Sequence, residues 1–235
     1  MIVSISSVSA ADNFEDLSTA INGTVENGIL NLDDDVIWES DFADGIQITK
    51  NITINGKGHV IDAKESARIF TVAPKVNFVL LNITLKNGYH NSAGGAIYNN
   101  GGIVNIAGNT SFINNSANIS GGAISDLNGI IIVDGTQYMN VFENNSVNTG
   151  NKSLGTGGAI GSHPAGKNGT FYILGTNIFK DNLAFNGGAI RNPYLLIING
   201  NTTFLNNHAF DSVGNNGEVK EVLLVELFML EKISL

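Results

Sequence analysis

The sequence predicts an all-β fold, a single-stranded parallel β-helix with three short strands per coil and a short capping helix at its N-terminal end. Three observations carry this. Gly-Gly-Ala-Ile occurs four times in 235 residues, beginning at Gly94, Gly121, Gly157 and Gly187. Each copy is followed by Phe-x-x-Asn, at Phe112/Asn115, Phe142/Asn145, Phe179/Asn182 and Phe204/Asn207. The starts lie 27, 36 and 30 residues apart, and such a loose period marks stacked repeats that bury a core only together.

The composition agrees with this fold and excludes some functions. Charged residues make up 14% and glycine contributes 28 of 235 residues, against about 25% charged in ordinary soluble domains. Glycine and asparagine suit closely spaced turns, because both tolerate positive φ. The net charge of −9 disfavours nucleic acid as a partner, since phosphate attraction needs a basic patch. Without cysteine there is neither a disulfide framework nor a thiolate metal site. We expect no cofactor and no metal.

The elements follow in order. Residues 1–10 read as the remnant of a secretory signal peptide, with Val8 and Ala10 as the small residues before a cut at Ala11. Residues 12–22 place Phe14, Leu17 and Ile21 on one face behind Asp12 or Asn13, an amphipathic helix able to hide the edges of a first coil. Short β-branched or aromatic runs between Gly, Asn and Asp then predict strands at 29–32, 46–48, 52–54, 60–61, 69–72 and 76–85. In the first repeat, 95–98, 103–106 and 111–113 are the three strands of one coil. The β-helix domain spans residues 11–217.

The signatures take scaffold roles in such a coil. Gly94 and Gly95 turn the chain tightly, as do Gly121 with Gly122, Gly157 with Gly158, and Gly187 with Gly188. Ile97, Ile124, Ile160 and Ile190 point inward and stack, and so do the four phenylalanines. The closing asparagine of each Phe-x-x-Asn either takes a positive φ or hydrogen-bonds its equivalent one coil away. Residues 148–156 and 163–168 are insertions, which in solenoids map to surface turns and carry binding.

After Gly217 the pattern stops. Residues 218–235 form an apolar, acidic tail where a fifth Gly-Gly-Ala-Ile is due near position 220. Codons permitted at 220–224 restore Gly-Gly-Ala-Ile in another reading frame, so the tail reads as an out-of-frame product. The rival reading is an amphipathic C-terminal helix. Glu226 and Glu231 interrupt an apolar stretch shorter than about 20 residues, so we expect no membrane span.

The paired signatures resemble the repeat of chlamydial polymorphic outer-membrane proteins. Asn-Ile-Thr-Ile-Asn-Gly-Lys-Gly-His-Val-Ile-Asp at 51–62, Arg-Ile-Phe at 68–70 and Leu-Asn-Ile-Thr-Leu-Lys-Asn-Gly at 81–88 resemble the adhesin-like surface proteins of gut methanogenic archaea. The resemblance covers roughly residues 1–217. It implies a right-handed β-helix of the pectin-lyase-like type, secreted or displayed at the cell surface and mediating adhesion. Right-handed crossovers are also the general preference.

Chemistry is sparse. A polysaccharide-cleaving β-helix enzyme needs convergent carboxylates or a cation site with an Arg or Lys base. Asp33-Asp34-Asp35 is the one acidic cluster, and it reads as a solvated turn before Val36. His59, His90, His163 and His208 lack metal-ligand spacing, and Arg68 and Arg191 have no evident carboxylate partner. Ten Asn-x-Ser/Thr sequons, at Asn114 and Asn144 among others, suit a surface address. Among Trp38 and the five tyrosines, Tyr89 and Tyr98 flank the first Gly-Gly-Ala-Ile, and His163 opens an insertion. These three are the expected surface contacts.

With chemistry so sparse, the resemblance implies a fragment of a non-catalytic adhesin-like protein, extracellular or at the cell surface, that binds glycans or surface proteins of neighbouring cells. A β-helix lyase or hydrolase remains an alternative, because one fold hosts many functions. A structural stalk or truncated gene product is a third.

Overall fold

The computed structural model describes residues 5–8, 11–148 and 155–209. It is a β-solenoid of about seven turns, half of it strand, whose coils stack in parallel register. One coil shows the plan. Asn77–Leu81 runs along a broad face, and Thr84–Lys86 follows around a corner on a second face. Tyr89–His90 marks the next corner, and Ile97–Asn99 closes a third face before Ile103–Ala107 opens the following coil. The three faces match expectation. The two-residue ladder at the corner, Tyr89–His90, Ser116–Ala117, Ser146–Val147, Leu183–Ala184 and His208–Ala209, adds a fourth, minor row.

The first and second faces are one continuous sheet, because Ile130–Glu143 and Thr170–Lys180 bend across the corner without a break. Side chains alternate along each strand, as the pleat requires. In Ile103–Ala107, Val104 and Ile106 are buried while Ile103, Asn105 and Ala107 face outward half-buried.

The repeat signatures sit where the period places them. Ile97, Ile124, Ile160 and Ile190 are register partners on the third face. Phe112, Phe142, Phe179 and Phe204 form a column on the second, with ring centroids 4.8, 4.7 and 5.2 Å apart. Each fully buried phenylalanine contributes roughly 1.5–3 kcal/mol from area alone.

Gly94, Gly121, Gly157 and Gly187 adopt φ between +57° and +66°, which β-branched or bulky residues avoid. The second glycine answers a different demand. A Cβ on Gly158 would lie 2.0 Å from the Gly188 carbonyl oxygen, so the backbones touch where consecutive turns stack.

The closing asparagines chose between the two expected roles. Asn115, Asn145 and Asn182 are buried and hydrogen-bond their equivalents one coil on. Positive φ falls on the residue before each: Asn114, Asn144, Asp181 and Asn206. The corner therefore needs both positions, one to turn and one to tie.

At the N-terminal end the helix covers Phe14–Gly23, capped by Asn13, whose side chain accepts from the Asp16 N–H. Phe14, Leu17 and Ile21 are buried, and Phe14 packs edge-on against Phe42 with centroids 6.1 Å apart. Ile5–Val8 pairs in parallel with Gly28–Leu32, adding a strand to the capped end. The remaining residues of the 1–10 segment, most of the 148–156 insertion, and the tail at 218–235 lie outside the described residues.

Two strand expectations need correction. The run 76–85 is two strands, Asn77–Leu81 and Thr84–Lys86, because Asn82 takes φ +50° and starts a corner. The predicted 95–98 strand is Ile97–Asn99, since both glycines are spent in the turn.

Candidate binding site

The third face brings Arg68, Tyr98 and His163 together, and the placement of this group begins with Arg68. Arg68 precedes the Phe70–Val72 strand and is 5% exposed. Its Nε donates to Gly94 O at 3.0 Å, Nη2 to Ala93 O at 2.8 Å, and Nη1 to Thr71 Oγ1 at 2.9 Å and Asp44 O at 3.3 Å. The guanidinium thus ties three successive coils through backbone oxygens. Burial pulls its pKa down to about 10, partly offset by the Asp44 and Tyr98 charges, so it stays a cation at neutral pH.

Tyr98 lies over this cation, with the guanidinium carbon 5.0 Å from the ring centroid. In the same outward column the next coils carry Ser125 and Gly161, both buried. These small residues let the Tyr98 ring meet His163 from two coils away, edge to face at 5.9 Å between centroids.

His163 is held by its own insertion. Its Nδ1 accepts from the Ala165 N–H at 3.1 Å, and Asn128 Oδ1 accepts from the backbone N–H groups of Lys167 and Asn168. The Tyr194 hydroxyl donates to Gly166 O. The neutral ring therefore carries its proton on Nε2. Burial first, then the Arg68 charge, lowers its pKa below the ordinary histidine value.

His90 repeats this logic. Nδ1 accepts from the Ser92 N–H at 3.1 Å and Nε2 faces Asp44 Oδ1 at 3.0 Å. Burial and Arg68 depress its pKa, against the pull of Asp44.

Of the expected contacts, Tyr98 and His163 come together and Tyr89 does not join them. Tyr89 starts the corner ladder, where Asn118 Nδ2 donates to its hydroxyl at 3.4 Å. Asp33 and Asp35 reach back to the following coil, to Lys57 and to His59. Trp38 packs against the core.

Sequence reading missed three features. Arg68 finds backbone oxygens, which no sequence pattern marks. Asp126 closes the column Asn99, Asp126, Ser162 at the next corner. It is 1% exposed and accepts from Asn99 Nδ2 at 2.6 Å and the Gly129 N–H at 3.0 Å. Burial outweighs those two bonds and raises its pKa to about 6. The third feature is a bulge. Gly135 pairs with Gly175 and Asn140 with Asn177, so residues 136–139 protrude, with Tyr138 at 55% and Met139 at 43% exposure. The signal was the excess length of 130–143 over 170–180.

The fold and site define a parallel β-solenoid with an aromatic–histidine pair braced by a buried arginine. Compared with known proteins, the chain matches no family model, no curated protein and no solved structure.

Proposed function

We propose that this chain is a non-catalytic adhesin-like protein, extracellular or displayed at the cell surface, whose third face binds glycans of neighbouring cells. The observation that carries this reading is the Tyr98–His163 pair, 5.9 Å between ring centroids and half-buried. Sugar rings present C–H faces that pack on aromatic rings and hydroxyls that pair with donors and acceptors. Here a tyrosine ring and a neutral imidazole with Nε2–H supply both kinds of contact. Arg68 spends its donors on backbone oxygens, which favours neutral glycans over acidic ones. Hydrogen bonds within the insertion and the Arg68 contact hold the two rings in place without a ligand, which lowers the ordering entropy that opposes binding.

The test is incubation of the protein with plant, mucin and microbial polysaccharides while retention and released sugar ends are measured together. Retention without new ends supports the reading. New sugar ends would replace it with a polysaccharide-cleaving activity.

A further inference from the structure

Where the sheet faces solvent, one side of the solenoid is nearly without charge. On the broad face the central outward column runs Val79, Asn105, Ile132, Tyr172 and Ile197, register partners across five coils. Flanking columns add Ile103, Ile130 and Leu195 on one side and Leu81 and Leu174 on the other. Ile197 and Leu195 are 36% and 47% exposed and the others are half-buried. Across these columns from Asn77 to Asn199, Asp134 alone is charged, and its Oδ1 already accepts from Thr136 N and Oγ1. The second face, by contrast, carries Lys86, Glu143 and Lys180 outward.

We propose that this face pairs with the same face of a second copy. The chain carries a net charge of −9, so two copies repel over most of their surface and approach most easily where charge is absent. A cationic partner would be drawn elsewhere on so acidic a surface. A flat sheet also suits the geometry, since sheets pack face to face about 10 Å apart with side chains interleaved.

The symmetry follows from the columns. A two-fold axis parallel to the solenoid axis sets each central residue against its own counterpart, Ile132 on Ile132 and Asn105 on Asn105, and an isologous contact of this kind closes as a dimer. Asp134 falls at the rim.

Five coils at about 4.8 Å and a strand width of about 17 Å give a face of roughly 300–400 Å². That is below the ~800 Å² per partner of a standard interface. The pairing is therefore reversible, with Kd on the order of 10–100 µM.

Sedimentation of the full chain from about 1 to 500 µM tests it, on the scale that this affinity sets. A monomer–dimer equilibrium that Ile132→Lys and, independently, Val79→Lys weaken at least tenfold, with unchanged thermal melts, is the expected result. A protein that stays monomeric throughout overturns the proposal. So does a dimer that survives both lysine variants. Neither variant touches Tyr98 or His163, so glycan retention and self-pairing fail separately.

Discussion

Nδ2 of Asn145 donates to Oδ1 of Asn182 at 3.0 Å, and the Asn145 backbone N–H converges on the same oxygen at 3.0 Å. Asn115 makes the same pair of bonds to Asn145, and Asn182 makes them to Asn207. Each Nδ2 also returns to a backbone oxygen of the coil before, such as Phe112 O for Asn145. The ladder thus satisfies buried polar groups at a corner where the sheet pattern is interrupted.

Asn145→Ala takes a partner from the Asn115 N–H, from one of the two Asn115 Nδ2 hydrogens and from the Phe112 oxygen together. Unsatisfied buried groups cost about 1–3 kcal/mol each, partly relieved by relaxation, so we expect a loss of about 2–4 kcal/mol in urea unfolding. Asn207→Ala at the half-exposed end of the ladder should cost less than half as much, because water replaces its bonds. Equal losses would deny the ladder its role.

The Asp126 carboxyl provides a pH test with a defined sign. Its folded pKa is about 6, above the ~3.9 of an unfolded aspartate. The folded state binds this proton more tightly, so the stabilising contribution is complete below about pH 3.9 and is lost as pH rises through 6. Above that pH the buried charge costs on the order of 1–3 kcal/mol. Asp126→Asn removes the buried charge but points an amide Nδ2 at one of two donors, Asn99 Nδ2 or the Gly129 N–H, so its gain at pH 7.5 is smaller than that cost while its stability flattens between pH 4 and 6. Urea titrations across pH 4–8 measure this, and an Asn variant that keeps the wild-type pH dependence would contradict the argument.

Two glycines separate steric demand from flexibility. Gly122→Ala would place a methyl group 2.3 Å from the Gly158 oxygen and 2.5 Å from the Ser146 nitrogen, backbone atoms that cannot yield without separating coils. We expect a loss above about 4 kcal/mol or no folding. At Gly23 a Cβ meets nothing within 4 Å, at the end of the helix. Gly23→Ala should gain about 0.4–1 kcal/mol. Thermal melts of the two variants should move in opposite directions.

For a retained polysaccharide, Tyr98→Ala and His163→Ala should each reduce retention at least tenfold, about 1.4 kcal/mol, with little change in melting. Because burial and Arg68 hold His163 below its ordinary pKa of 6.5, the ring stays predominantly neutral as pH falls from 8 to 7. Retention should be flat over that range. Binding that strengthens as pH drops through 6.5 would assign recognition to an imidazolium instead.

The period in the sequence determined the fold. It told which residues share a column: Ile97 with Ile124, Phe112 with Phe142, Asn115 with Asn145. Identical residues one coil apart need no further information to be neighbours, since a parallel ladder sets them about 4.8 Å apart. Tertiary structure alone decided the contacts that leave their column or skip a coil. Tyr98 reaches His163, 65 residues on, because Ser125 and Gly161 are small. Arg68 finds carbonyls rather than carboxylates because the turns at Ala93 and Gly94 aim them at it. Asp126 acquires its raised pKa from walls supplied by two other coils. A repeat fixes translation along the axis, whereas side-chain reach, turn geometry and local dielectric depend on what fills the neighbouring positions.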